Sequence, residues 1–248
     1  MTVNQTYTDP STSGGLDLST GDVLTETVWD KVLSNIKAMG GTANEPTTLA
    51  WTPVWDTWTY ASATTITVPS GAAAIYSIGD KIKFTQTTVK YFYIVGVADT
   101  VLTVTGGTDY AVATPTAISS IYYSKASTPV GFPASFNWTG ASGDNPQGFT
   151  GAITDATVFR IDGRVMTIIP SIVGTSNATT FTFTAPAVAA VSVSAPTKGR
   201  DNGTLTLCQY VMSASSATVT LYKDSVATTA FTNSGTKGLY TSPIIVFI

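Results

Sequence analysis

The residues in this chain that are equipped for chemistry are mainly carboxylates. Fifteen residues are acidic; Glu26 and Glu45 are the only glutamates and the other 13 are aspartates. Two aspartates facing each other across a groove would serve glycoside hydrolysis, as acid and as nucleophile or base. Aspartates gathered on loops with backbone carbonyls would hold calcium. Their neighbours point to a plainer role. Asp80, Asp99, Asp109, Asp144, Asp162, Asp201 and Asp224 each adjoin Gly, Ser, Thr or Asn. In such settings the aspartate side chain hydrogen-bonds the nearby backbone and closes a turn. No spacing resembles the ordered acidic loop of an EF-hand.

Other chemistries are excluded by residue type. The chain has no His, so it holds no Ser-His-Asp or Cys-His nucleophile pair and no imidazole metal ligand. One cysteine, Cys208, closes no disulfide within the chain and builds no thiolate zinc site. It sits in an alternating apolar run and reads as a small core side chain. There is no phosphate-binding Gly loop and no nucleophile elbow. The expectation is no enzyme, with no catalytic residue, cofactor or metal ligand. The aromatics, 5 Trp, 11 Tyr and 10 Phe, either stack on sugars or fill thin cores short of Leu; Tyr122, Tyr123 and Tyr240 are the ones to test for exposure. Four Asn-x-Thr triplets, at Asn4, Asn137, Asn177 and Asn202, read as turns.

The elements that must position these groups are strands. Thr occupies 46 of the 248 positions and Ser 23, while charged residues make up only 11%, against roughly 25% in an average globular protein. Hydroxyls therefore do the solvating that charges usually do, and β-branched Thr favours strands. With 21 Gly and 12 Pro as punctuation, the chain reads as all-β. The net charge of −3 and pI near 4.7 argue against a nucleic-acid partner, which needs a basic patch. No apolar run reaches the ~18 residues of a membrane helix. The polar, uncharged start from Met1 to Thr6 is no signal peptide.

Residues 1–48 read as a polar arm followed by one helix. Leu24, Val28, Val32 and Ile36 recur every four residues with Trp29 and Leu33 beside them, an apolar stripe. Asp22 or Thr25 caps its start and Gly40-Gly41 stops it. A helix this short is marginal alone, so the stripe packs on this chain's own β region or serves particle docking or self-association. From Trp51 the period turns to two. Strands are expected at 64–68, 81–87, 89–97, 101–105 and 118–124, a small barrel or sandwich over 49–126. Ile82 and Phe84 alternate with Lys81 and Lys83, giving one buried and one wet face. Phe92 and Ile94 oppose Tyr91, Tyr93 and Val95, which suits a central strand. Residues 127–151 carry Gly and Pro with embedded Phe132, Phe136 and Trp138, and read as a linker packed by its own aromatics. Residues 152–248 read as a C-terminal β-sandwich or jelly-roll-like domain. Its strands are expected at 158–161 and 165–169 across an Asp162-Gly163 turn, then at 179–184, 187–194, 204–212 after Asn202-Gly203, 217–223, 227–231 and 244–248. The apolar last strand asks for a sheet or a neighbouring chain.

The segment Gly21-Asp22-Val23-Leu24-Thr25, leading into Trp29 and the helix, resembles the amino-terminal segments of tailed-bacteriophage fibre and spike proteins. The runs 79–86, 90–95 and 103–110, continued by Ile121-Tyr122-Tyr123-Ser124 and 129–133, resemble a β module of phage minor structural proteins. Residues 174–179 and Asp201-Asn202-Gly203 are similar to the β-sandwich heads of the same proteins. The resemblance implies a head or tail fibre, spike or decoration protein made in the host cytoplasm and displayed on the virion surface. It implies a homotrimer, held to other virion proteins through the N-terminal arm. The alternative it leaves open is an adhesin that binds a host-surface glycan or protein with the C-terminal domain. Few charges give a weak long-range field, which suits a hydroxyl-coated particle surface.

Overall fold

Thr-rich alternation and frequent Gly and Asp turns produce short strands joined by tight connections, and among the described residues every strand pairing is antiparallel. The computed structural model describes residues 50–248 apart from Pro115, Ser225 and Thr241. The expected arm and helix, with Leu24, Val28, Trp29, Val32, Leu33 and Ile36, lie outside the described residues. Among those residues no helix is long and apolar enough to cross a membrane.

Seven strands make the first sheet: β1 (Thr52–Val54), β2 (Thr59–Ser62), β3 (Thr65–Thr67), β4 (Lys81–Gln86), β5 (Thr88–Ala98), β6 (Val101–Thr105) and β7 (Ser119–Ser124). Their order is β1-β7-β4-β5-β6-β3-β2. The sheet curls around Trp58, Ile66, Ile82, Phe84, Phe92 and Ile94, with Tyr76 after the one-turn helix α1 (Ala72–Ile75) packed over them. Thr87 alone joins β4 to β5, at a φ of 61°. Asp99 joins β5 to β6 and anchors α1, its carboxylate accepting the Gly71 N–H at 2.7 Å.

The remaining strands are β8 (Phe136–Asn137), β9 (Phe149–Asp155), β10 (Val158–Asp162), β11 (Val165–Ile169), β12 (Ser171–Ser176), β13 (Thr182–Thr184), β14 (Val193–Asp201), β15 (Thr204–Met212), β16 (Thr218–Tyr222), β17 (Thr236–Tyr240) and β18 (Ile244–Phe247). They form a four-stranded sheet, β18-β11-β10-β8, and a seven-stranded one, β13-β16-β15-β14-β17-β12-β9. Both sheets contribute to one core: Phe159, Ile161, Met166, Ile168, Ile244 and Val246 from the smaller, and Ile172, Phe183, Tyr210, Met212, Leu221 and Leu239 from the larger. The fold is all-β, a curled sheet followed by a sandwich.

β5 serves both cores. Phe92 and Ile94 point into the first, whereas Tyr93 is buried in the second among Phe132, Phe136 and Phe159, with ring centroids 5.0, 5.3 and 6.1 Å away. Burial on both faces is what an uninterrupted apolar strand requires. Two glycines let the backbones meet at this seam. A Cβ on Gly79 would lie 1.7 Å from the Gly163 carbonyl oxygen, and one on Gly107 would lie 2.2 Å from that of Asn137. Both also sit at positive φ, 93° and 63°, where glycine alone is unstrained.

Several local expectations are corrected. Lys81 does not face water, and Lys83 is half-buried. Segment 127–135 covers that face, so Lys81 is 2% exposed and stacks on Tyr93 and Phe132, while Lys83 stacks on Trp51 and Tyr122. The apolar stems and ring faces make this burial tolerable. The first sandwich turn is Gly163-Arg164 rather than Asp162-Gly163, because Asp162 pairs with Val165. Residues 187–192 form no strand; β14 starts at Val193 and runs through Pro196. That proline is tolerated because β17 pairs with β14 only at Gly199 and Arg200, leaving the Pro196 edge without a partner that needs an N–H. Residues 227–231 are a loop, held by the Phe231 N–H to the Thr179 carbonyl at 3.0 Å.

Candidate functional site

A cleft of about 450 Å³ opens where the curled sheet meets the sandwich. Its walls carry the hydroxyls of Thr64, Thr103, Thr105, Thr108 and Ser142 beside two half-buried rings, Tyr110 and Trp138. The fold positions both rings firmly. The Trp138 indole N–H donates to the Thr184 carbonyl at 2.7 Å, and its ring packs edge-on against Phe159. Tyr110 leans on Tyr91, Phe92 and Phe136. Rings lined by hydroxyls are suited to a polyhydroxylated ligand, stacked on its apolar face and hydrogen-bonded at its rim. Neither ring was singled out from the sequence for this role, since each stands among ordinary core aromatics.

The carboxylates divide into satisfied and unsatisfied ones. Asp224 accepts hydrogen bonds from the Thr228 and Thr229 N–H groups and the Thr228 hydroxyl, which hold its carboxyl below the usual range. Asp201 accepts from the Thr232 N–H and hydroxyl, each at 2.7 Å, and pairs with Lys223 at 3.2 Å. Those partners outweigh burial and lower its pKa. Asp224 closes its own loop, as the turn reading expects, whereas Asp201 holds Thr232, distant in sequence, instead of its own turn. Asp144 differs. It is completely buried, its carboxyl set against that of Asp155 and beside the Thr157 hydroxyl and the Gly140 N–H. Burial first, then the hydrogen bond to Asp155 and its charge, push the Asp144 pKa up to about 8, so that the pair shares a proton. The two carboxyls are in contact, Asp144 buried and Asp155 half-buried, without the space a glycosidase leaves between its pair for sugar or water. Among the described residues no three His, Cys, Asp or Glu side chains gather as a metal cluster.

One cation is buried as deeply. Lys237 is fully enclosed, and its ammonium donates to the Ala178 and Thr180 carbonyls at 3.0 and 2.7 Å. The rings of Phe149, Phe181 and Phe231 surround it, with centroids 4.9, 5.7 and 5.8 Å from Nζ. Burial lowers its pKa to about 8. This cage ties the 178–180 loop to β17; it leaves no room for a ligand.

The aromatics selected for exposure are not platforms. Tyr123 packs edge-on against Tyr76, Tyr122 lies under Lys83, and Tyr240 lies under Arg200. Among the described residues the exposed rings are Trp55, 80% accessible, and Phe247, 51% accessible. Phe247 and Ile245 alternate outward along β18 while Ile244 and Val246 point into the core. Val165 and Thr167 sit opposite them on β11, and Ala190 donates its N–H to the Phe247 carbonyl beside exposed Val191. An apolar strip thus runs along the outer face at the last strand.

No protein-family model, curated protein or solved structure matches this chain. The functional reading therefore rests on the chain's own residues and geometry.

Proposed function

We propose that the protein is a non-catalytic structural protein of a bacteriophage virion, a head or tail fibre or decoration protein that self-associates, as a homotrimer, on the particle surface. The observation that carries this reading is the outward apolar strip of Ile245 and Phe247 on the edge strand β18. A second copy supplies a surface of the same hydroxyl-rich, low-charge character, and burying such side chains is worth roughly 1.5–3 kcal/mol each. The sequence resemblance to phage fibre and spike proteins supports the same assignment. The arm and helix then dock on other virion proteins, with Leu24, Val28, Trp29, Val32, Leu33 and Ile36 as the contact stripe. Three weak contacts on one trimer gain by avidity.

Mass photometry of the purified full chain is expected to give a trimer. Ile245→Asp with Phe247→Asp should give a folded monomer. Trp29→Asp with Leu33→Asp should leave the trimer intact but abolish attachment to particles. A wild-type monomer at micromolar concentration, or normal decoration by the helix variant, overturns the reading.

The Tyr110 and Trp138 cleft favours a second reading, an adhesin for a host-surface glycan. A glycan array probed with the full chain tests it. Binding that disappears in Ser142→Trp, which fills the cleft, supports the adhesin.

A further inference from the structure

The Tyr110 and Trp138 cleft carries no charge. Among the described residues no Asp, Glu, Lys or Arg lines its walls. By contrast, the depression beside Asn202 holds Asp201, Asp224 and Lys223, and the one beside Phe132 holds Arg160 and Asp162. Two charged side chains adjoin the cleft, and both are already bound to the protein. Asp109, next to Tyr110, accepts the Asn137 main-chain N–H at 2.9 Å and its side-chain amide at 2.7 Å. The Lys90 ammonium donates to the Ala111 carbonyl at 2.6 Å. What the walls do offer is neutral and set by the fold. Thr64, Thr103, Thr108 and Ser142 are exposed residues on them. Glycines bring these walls together: a Cβ on Gly143 would lie 3.0 Å from the Thr108 methyl, and one on Gly106 would lie 2.8 Å from the Tyr91 carbonyl oxygen. The Trp138 N–H is taken by the Thr184 carbonyl, so the indole offers the cleft apolar surface and no donor.

We propose that this cleft takes an uncharged sugar, a neutral hexose-type unit of a glycan, and rejects sialic, uronic and phosphorylated sugars. The inference rests on the adhesin reading and commits it to one ligand class. A neutral sugar asks for what the cleft has. Its C–H face packs on an aromatic ring, and its hydroxyls, each both donor and acceptor, match the Thr and Ser hydroxyls. A carboxylate or phosphate would give up its water there without gaining an ammonium or guanidinium partner. The net charge of −3 on the chain adds no long-range attraction for an anion. The volume of about 450 Å³ lies toward the lower end of small-molecule sites, which suits a short stretch of sugar rather than a long chain.

An array tests the choice by carrying galactose-, glucose- and mannose-terminated glycans beside their sialylated, uronate and phosphorylated counterparts. The full chain should retain neutral glycans and bind the acidic counterpart of each at least about tenfold more weakly, the penalty of an unpaired charge in the cleft. Raising the salt from about 0.05 to 0.5 M should leave neutral binding unchanged, since no ion pair is there to screen. Ser142→Lys adds a cation at an exposed wall position and should admit the acidic glycans that the wild type rejects. Acidic glycans bound as tightly as neutral ones, or a Ser142→Lys variant that discriminates as the wild type does, would overturn the inference and leave the adhesin reading standing. Neutral binding that survives in Ser142→Trp would place the sugar outside the cleft and overturn it equally. No binding to either class would remove the adhesin reading, and this inference with it.

Discussion

The curled sheet and the sandwich differ in how far along the chain their central strands reach for partners. In the curled sheet, β4, β5 and β6 follow one another through connections of one and two residues, and its interior encloses Asp80, Lys81, Gln86, Thr105 and Ser124. In the sandwich the pairing is long-range: Val165 meets Phe247, Ser171 meets Tyr240, and Phe136 meets Phe159. Its interior also encloses Lys237, Asp144, Thr157, Thr197 and Ser176. A local hairpin sheet is set by pattern and turn chemistry. In both, interior polar anchors hold the loops that longer connections leave behind: Gln86 bonds Ala113 and Thr116 in the curled sheet, as Lys237 bonds Ala178 and Thr180 in the sandwich. Such anchors are costly unless fully partnered.

The largest expected effect comes from breaking the junction between the two. Gly79→Ala places a methyl inside contact distance of the Gly163 backbone, at a positive φ that alanine resists. Neither carbonyl nor Cβ can move without parting the β4 entry from the β10–β11 turn. A loss above about 4 kcal/mol is expected, the range reserved for such clashes. Urea unfolding should be one transition in the wild type and two in Gly79→Ala, with the curled sheet and the sandwich melting separately. A single unshifted transition in the variant would show that the seam does not couple them.

Next in size is Phe159→Ala, which empties the ring contacts of Phe136, Tyr93 and Trp138 at once. A cost of about 3–5 kcal/mol is expected. Lys237→Met sharpens the comparison differently. It removes a buried charge but strands the Ala178 and Thr180 carbonyls, for a net loss of about 1–3 kcal/mol. It also carries a pH signature. The folded pKa of about 8 lies below the ordinary lysine value of 10.5, so between those limits the unfolded chain binds a proton that the native protein has released. Stability should rise with pH across that window, and the rise should be smaller in Lys237→Met. Calorimetry between pH 7 and pH 10 compares the two.

The same division decides what was legible. Alternation and turn residues revealed β4, β5, β6, β7, β10, β11, β15 and β16, and the Asn202-Gly203 turn, whose two positive φ values make the hairpin the sequence announced. They did not reveal β9, β12 or β17. Each contains a glycine, Gly151, Gly174 or Gly238, and reads as turn material. At Gly174 the glycine is there for space, since a Cβ would lie 2.8 Å from the Phe149 ring. That reason exists only once distant strands are paired. The carboxylate pair was hidden similarly: Asp144 beside Gly143 and Asn145 has the local signature of a turn aspartate, yet its turn is closed by the Gly143 and Asn145 N–H groups on the Gly140 carbonyl while its own carboxyl is buried against Asp155. Its lack of a counter-charge depends on Asp155 arriving from β9. The cleft rings were invisible because Trp138 and Tyr110 are core aromatics on one face and cleft walls on the other.

The smallest expected effect concerns Cys208, where the sandwich behaves like the curled sheet. The thiol is fully buried on the inner face of β15, opposite Thr197. A Cβ on neighbouring Gly199 would lie 2.5 Å from its sulfur, so the space around it is already taken. Burial, with the charges of Asp201 and Asp224 behind it, pushes its pKa up to about 12. At neutral pH almost no thiolate exists, and the thiolate is the species that oxidises and exchanges. The side chain therefore acts as a small hydrophobe. Cys208→Ala should cost about 1 kcal/mol, the size of an ordinary point substitution, and leave assembly unchanged. Reductant should move the Tm of the wild type by nothing measurable. A dimer on a non-reducing gel that reductant dissolves would mean that β15 opens far enough to expose this sulfur, and that the sandwich core is much less closed than the curled one.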